Sequence, residues 1–215
     1  MTKEDVRLRI NEVGIVPVIR ATCTDFVVTA GKAILEGGIS VVEVTMACGC
    51  AIEAIQQLKA KMGGQLLIGG GNVLDAAEAR KCLDAGAQFL TSPSFDLDTI
   101  NLARDAGVVM IAGALTPTEV LHAWKAGADF VNVFPCGKVG GPGYIKSLKS
   151  AMPKVPMIPS GGVDLVTAAA FLDAGAAALG VGKELVLPIA VEKGNPAPIT
   201  QAARQYVAIV KQRRG

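Results

Sequence analysis

Eight short apolar runs alternate with segments of helical period along this chain, and no other feature narrows its folds as far. The runs are Ile15 to Ile19, Val41 to Val44, Leu66 to Ile68, Gln88 to Leu90, Val108 to Ile111, Phe130 to Val133, Met157 to Ile158 and Ala177 to Val181. Between them, helical periodicity marks Val27 to Leu35, Ile52 to Lys61, Ala76 to Leu83, Asp98 to Ala106, Thr118 to Ala126 and Leu165 to Ala174. Several of these segments close on glycine, at Gly37-Gly38, Gly86, Gly107, Gly127 and Gly175, as a helix C-cap does. Strands that are apolar throughout, rather than at every second residue, belong to a parallel sheet covered by helices. Eight such units predict a single (β/α)8 barrel over residues 1–215, with an extra N-terminal helix at 1–12 and a C-terminal helix at 195–215. With 215 residues, the chain is near the lower end of that fold's range of about 200 to 400, so the loops must be tight and no lid domain fits. An open doubly wound sheet is the alternative; its dinucleotide-binding form is weak, because no GxGxxG follows the first strand.

The formal net charge is +2, with Lys and Arg scattered along the chain, which excludes the clustered basic face of a nucleic-acid binder but not a small anionic ligand. No apolar run approaches the roughly 18 residues of a membrane span, and the first fourteen residues read as an amphipathic helix. Five cysteines (Cys23, Cys48, Cys50, Cys82, Cys136) contain no CxxC and stand beside no histidine run, so a disulfide framework and a zinc site are both disfavoured. The expectation is a soluble, cytoplasmic protein with reduced thiols, no metal and no cofactor. The single histidine, His122, sits within a helical segment as a surface residue, and no catalytic triad can be built on it.

In a barrel of this kind chemistry collects at the C-terminal ends of the strands. Those ends carry Arg20, Glu43 with Thr45, Asn72, Ser92, Thr116 with Thr118 and Glu119, Asn132, Ser160 and Lys183. Thr116 and Thr118 equally suit the cap of the next helix, with Glu119 in its first turn. Ile158-Pro-Ser-Gly-Gly-Val-Asp164 and Leu179-Gly-Val-Gly-Lys-Glu184 place glycine turns after the last two strands. If each feeds a helix N-terminus, backbone N–H groups face the place where such barrels hold phosphate. Glu43 and Arg20 each end a mostly apolar strand, where an unpaired charge is costly, so either they pair with each other or both serve a pocket in which Glu43 has a raised pKa. Cys48, Cys50 and Cys136 fall on loops at the same end and are read as small, semi-buried thiols.

Nine strings appear in order: Pro17-Val-Ile-Arg20, Val42-Glu-Val-Thr45, Ile68-Gly-Gly-Gly71, Val73-Leu74, Ser92-Pro93, Gly113-Ala-Leu-Thr-Pro-Thr-Glu119, Val133-Phe-Pro135, Gly140-Gly-Pro142 and Ser160-Gly-Gly162. Together they resemble the family of 2-keto-3-deoxy-6-phosphogluconate (KDPG) aldolase and 4-hydroxy-2-oxoglutarate (KHG) aldolase, over nearly the whole chain. The resemblance implies a homotrimeric barrel, class I aldol cleavage through a lysine Schiff base, pyruvate as one product, and no metal. Glu43 would be its proton-shuttling carboxylate, Arg20 its pocket arginine, and Gly161, Gly162, Gly182 and Lys183 its phosphate site. Thr45, Asn72, Pro93, Thr116 and Phe134 would join the substrate pocket.

The sixth strand departs from that pattern. Where the family has Lys-x-Phe-Pro, this chain has Asn132-Val-Phe-Pro135, and an amide nitrogen is not basic and forms no imine. Ala47, Asn72 and Ala112 also differ from the residues common in the family, and are read as changes on one face of the pocket. Three readings follow. The chain is an aldolase-like lyase scaffold for a 2-keto-3-deoxy-6-phospho sugar acid or 4-hydroxy-2-oxo acid with its Schiff-base activity lost or relocated. Alternatively, it is a silenced or engineered trimeric barrel serving assembly or binding. In the third reading, the remodelled pocket uses a new amine, Lys183 first and Lys138 second.

Overall fold

The computed structural model describes residues 1–20, 23–187, 189–190 and 193–215. Eight parallel strands form the barrel: β1 (Ile15–Ile19), β2 (Val41–Thr45), β3 (Leu67–Gly71), β4 (Phe89–Thr91), β5 (Val109–Ala114), β6 (Phe130–Val133), β7 (Met157–Pro159) and β8 (Leu179–Val181). They follow one another in chain order around the sheet, with β8 paired to β1. Closure between β7 and β8 is thin, made by a bridge of Ser160 to Gly180 and the Ala177 N–H donating to the Met157 carbonyl at 2.8 Å.

The helices are α1 (Lys3–Val13), α2 (Thr24–Glu36), α3 (Ala51–Met62), α4 (Ala76–Asp84), α5 (Leu97–Asp105), α6 (Pro117–Ala126), α7 (Pro142–Ala151), α8 (Ala168–Asp173) and the C-terminal α9 (Ala197–Arg214). Gly38, Gly86, Gly107, Gly127 and Gly175 all have positive φ, the left-handed geometry that makes glycine the natural stop. The eight units and their glycine stops are as the sequence predicts.

Two apolar layers result. The larger fills the space between the sheet and the outer helices. The smaller fills the barrel: Val16, Val41, Leu67, Phe89, Val109, Phe130 and Ala178 meet inside it, and Val6 and Ile10 of α1 plug its N-terminal end. Thr2 and Asp5 form a capping box that starts α1, and Lys3 pairs with Asp129 at 2.9 Å to hold the plug in place.

The sequence ends β3 at Ile68, yet the strand runs on through Gly69, Gly70 and Gly71. Glycine weakens a strand, but here each one admits a neighbour. A Cβ on Gly69 would stand 2.3 Å from the Phe89 ring, one on Gly70 2.5 Å from the Cys82 sulfur, and one on Gly71 1.8 Å from a Glu43 carboxylate oxygen. Long-range packing therefore selects residues that local propensity argues against.

Candidate functional site

The C-terminal end of the barrel opens into a cavity of about 660 Å³. Of the residues singled out from the sequence, Arg20, Glu43, Thr45, Asn72, Pro93, Asn132, Phe134, Gly161, Gly162, Gly182 and Lys183 all line it, together with Lys138. The walls below are apolar, built from Val16, Val18, Ile111 and Ile158.

Glu43 lies deep on β2 at 5% exposure, in the space that Gly71 leaves open. Burial pushes its carboxyl up to about 7, and the nearby Thr91 hydroxyl offsets only part of that. Of the two alternatives for Glu43 and Arg20, the ion pair does not form: Arg20 is exposed at the rim, and among the described residues no cation pairs with Glu43. A carboxyl that can be neutral removes the need for a counter-charge, which is why a buried Glu is tolerated without one.

Asn132 is 7% exposed and fully oriented. Its Nδ2 donates to the Ser92 carbonyl at 2.9 Å, and its Oδ1 accepts from the Ser160 hydroxyl at 2.6 Å. Since the carbonyl can only accept, these bonds decide which end of the amide is which. Ser92 is anchored in turn: its hydroxyl donates to the Ser94 carbonyl at 2.7 Å and accepts from the Gly113 N–H at 3.1 Å. The amide at the end of β6 thus bridges β4 and β7 across the mouth of the barrel.

Thr91 was not among the residues chosen from the sequence. It is 7% exposed, lines the cavity beside Glu43, and its hydroxyl makes no hydrogen bond of ordinary geometry. Its place at the end of a strand, directly before Ser92-Pro93, is the signal that could have found it.

Thr116 has a different place. It caps α6 in a box with Glu119, whose carboxylate accepts from the Thr116 N–H at 2.7 Å, and it is not among the residues on the cavity wall. Thr45 is on the wall, and its hydroxyl accepts from the Ala47 N–H at 3.3 Å.

The glycine turn after β7 does not lead directly into a helix. Gly161 and Gly162 have φ of 72° and 100° and pack on the loop after β6, where a Cβ on Gly162 would meet Gly137 Cα at 2.8 Å. However, α8 begins only at Ala168, and its preceding turn is already occupied by the Asp164 carboxylate, which accepts from the Val166 and Thr167 N–H groups at 2.9 and 2.7 Å. Those bonds hold Asp164 below the usual carboxylate range. The exposed cations Arg20, Lys138 and Lys183 stand at this mouth, together with the half-buried Glu184.

The three other departures do not share one face. Asn72 lines the cavity, but Ala47 is exposed outside it and Ala112 is buried in the layer between sheet and helices. Asn72 has a backbone reason as well: its φ is 55°, the left-handed region that Asn tolerates and β-branched residues resist. Asn72→Gly should leave stability nearly unchanged, whereas Asn72→Val should cost about 1–2 kcal/mol in urea unfolding; equal midpoints for the two variants would refute this reading of Asn72.

The thiols are quiet where they are buried. Burial pushes Cys136 up to about 11 and Cys82 up to about 12, well away from a reactive thiolate. Cys23 is exposed, and Cys48 and Cys50 are half-buried. His122 is exposed on α6, its ring 6.4 Å from that of Phe95.

A family model described as KDPG and KHG aldolase matches residues 6–202. The 2-dehydro-3-deoxy-phosphogluconate aldolase of Treponema pallidum (strain Nichols) is 29% identical over 202 residues, covering 94% of this chain and 95% of its own. The KHG/KDPG aldolase of Escherichia coli (strain K12) is 29% identical over 193 residues, 90% of each chain. Among solved structures, the 2-keto-3-deoxy-6-phosphogluconate aldolase of Zymomonas mobilis ZM4 with 3-phosphoglycerate superposes with a TM-score of 0.87 at 26% identity, over 97% of each chain.

Proposed function

The chain belongs to the KDPG and KHG aldolase family, and from that premise we propose that its cavity binds an anionic 2-keto acid or 2-keto-3-deoxy-6-phospho sugar acid without forming an imine at residue 132. The observation that carries this is the bonding of Asn132. The residue at the family's Schiff-base position is an amide tied to the Ser92 carbonyl and the Ser160 hydroxyl, so it has neither a nucleophilic lone pair nor freedom to move. The rest of the site suits the family's ligands. Arg20, Lys138 and Lys183 gather positive charge at the rim, and Gly161, Gly162 and Gly182 let a bulky anion approach the backbone. That a Zymomonas relative was solved with 3-phosphoglycerate, a phosphorylated carboxylate, supports the same ligand chemistry.

A relocated nucleophile has less support. Lys138 and Lys183 do line the cavity, but both are exposed, and the desolvation that activates a lysine needs burial. The two readings separate in one experiment. KDPG is titrated by calorimetry, and the protein is then treated with pyruvate and borohydride, which fixes any imine as a stable adduct. We expect binding that weakens with salt, a loss of about tenfold or more in affinity in Lys183→Glu, and no adduct. An adduct on Lys183 or Lys138 would establish the relocated amine instead.

We also propose a homotrimer. Phe95, Leu97, Leu121 and Trp124 are all exposed in or beside α5 and α6, an apolar grouping of the kind that a second copy would cover. Light scattering should give three times the chain mass, and Leu121→Glu with Trp124→Glu should reduce it to one. A monomer in the unmutated protein would end this proposal.

A further inference from the structure

A continuous polar belt crosses the mouth of the barrel. Glu43 on β2 stands beside Thr91 at the end of β4; the next residue, Ser92, gives its carbonyl to Asn132 on β6, and Asn132 accepts from Ser160 after β7. One donor on this belt is unspent. One N–H of Asn132 has no partner among the described residues, and Asn132 is 7% exposed on the cavity wall; the Thr91 hydroxyl, also on the wall, stands beside the Glu43 carboxyl without a hydrogen bond of ordinary geometry. Beside them is a buried carboxyl, and beneath them the apolar floor of Val16, Val18, Ile111 and Ile158.

We infer that the protein exchanges the α-protons of 2-keto acids by non-covalent enolisation, with Glu43 as the base and the Asn132 amide as the donor that holds the developing enolate oxygen. This rests on the keto-acid-binding reading given above. In the forward step the Glu43 carboxylate takes a proton from C3, the C3–H electron pair becomes the C2=C3 bond, and the carbonyl π pair moves onto the ketone oxygen. The negative charge that appears there faces an N–H whose direction two other hydrogen bonds already fix, so no reorganisation is needed when the charge forms. The protonated Glu43 trades its proton with solvent and returns it to C3, restoring the ketone. Nothing is oxidised or reduced and no co-reactant is consumed.

The chemistry of the two groups matches. A base that titrates near 7 is poised for proton transfer around neutral pH. The group beside Glu43 is the Thr91 hydroxyl; the Cys82 thiol, which stays protonated, lies behind β3 on the helix side, and Arg20, Lys138, Lys183 and Glu184 stand on the cavity wall. Because the Thr91 hydroxyl favours the ionised carboxylate, its loss should move the titration upward.

The test follows the methyl protons of pyruvate in D2O by proton NMR, with saturation transfer in the same sample reporting whether pyruvate is bound. We expect decay at least about tenfold above buffer, first order in protein, rising with pH through about 7, and unchanged after pretreatment with pyruvate and borohydride. Glu43→Gln should abolish exchange and keep saturation transfer. Asn132→Leu should lose about tenfold or more. Thr91→Val, nearly the same shape, should keep exchange but shift its pH midpoint upward, a result that a purely structural role would not produce. Exchange at the buffer rate with pyruvate bound would overturn this inference and leave the binding reading standing. Absence of saturation transfer would overturn both. Exchange destroyed by the borohydride pretreatment would place the chemistry on an imine and overturn it as well.

Discussion

Asn132→Lys is expected to make the protein trap pyruvate with borohydride, at that residue and close to one adduct per chain, where the parent chain gives none. The position is prepared for an amine. A lysine ammonium or amine placed there would meet the Ser92 carbonyl and the Ser160 hydroxyl that now hold the amide, so the acceptors it needs are present. Burial at the end of β6 disfavours its charged form and frees the lone pair for attack on a ketone. Glu43 is within the same cavity to move protons, so cleavage of KDPG should rise by about 100-fold or more over the parent. Intact-mass analysis with peptide mapping checks the first part, and pyruvate release the second. Trapping without cleavage would locate the defect in the phosphate end of the cavity. A failure to trap, in a variant that still folds, would mean that the pocket no longer presents a ketone to this position, contrary to the finding that Ala47 and Ala112 lie outside it.

The second large effect is on stability. Glu43 titrates near 7 in the folded protein against an ordinary 4.5, so the folded state holds a proton that the unfolded state has released. Stability of this origin is fully present below about pH 4.5 and is lost as pH rises through 7. At about 1.4 kcal/mol for each pH unit between the two values, the loss is about 3 kcal/mol between pH 5 and 8. Few other groups contribute in that window, because the chain has one histidine and it is exposed. Glu43→Gln keeps the shape and cannot ionise, so its urea midpoint should be flat over this range and its stability at pH 8 should exceed the parent's by about 2–3 kcal/mol. Parallel pH profiles for the two proteins would show that Glu43 is ionised at neutral pH.

The barrel was legible because its signals are local and repeated. Apolar runs, helical periods and glycine stops recur within each unit, and each is decided by residues a few positions apart. What escaped depends on residues far apart in sequence. Gly69, Gly70 and Gly71 read as the end of a strand, but the side chains that occupy their missing Cβ positions come from Phe89, Cys82 and Glu43. The Gly161-Gly162 turn reads as the approach to a helix, but the Asp164 carboxylate gathers the Val166 and Thr167 N–H groups into a further turn, and α8 begins only at Ala168. Arg20 and Glu43 each end a mostly apolar strand, which makes a pair one way to settle both charges, but a buried carboxyl that can take up a proton has no need of a partner. Within the site, strand ends, glycine turns and the family resemblance together locate eleven of the proposed residues on the cavity wall, while Thr116 goes to a helix cap and Thr91, between Leu90 and Ser92, carries neither a charge nor a motif to mark it.

Among the described residues, the plug that α1 makes at the N-terminal end of the barrel leaves the cavity one door. Val6 and Ile10 fill the bottom, and the Lys3 to Asp129 bridge latches it, so traffic is confined to the opposite mouth. A ligand must back out the way it came. Any reaction here that split one molecule into two would have to discharge the fragments in sequence, the outer before the inner, and an excess of the outer fragment would then act as a cork, detaining the inner one behind it.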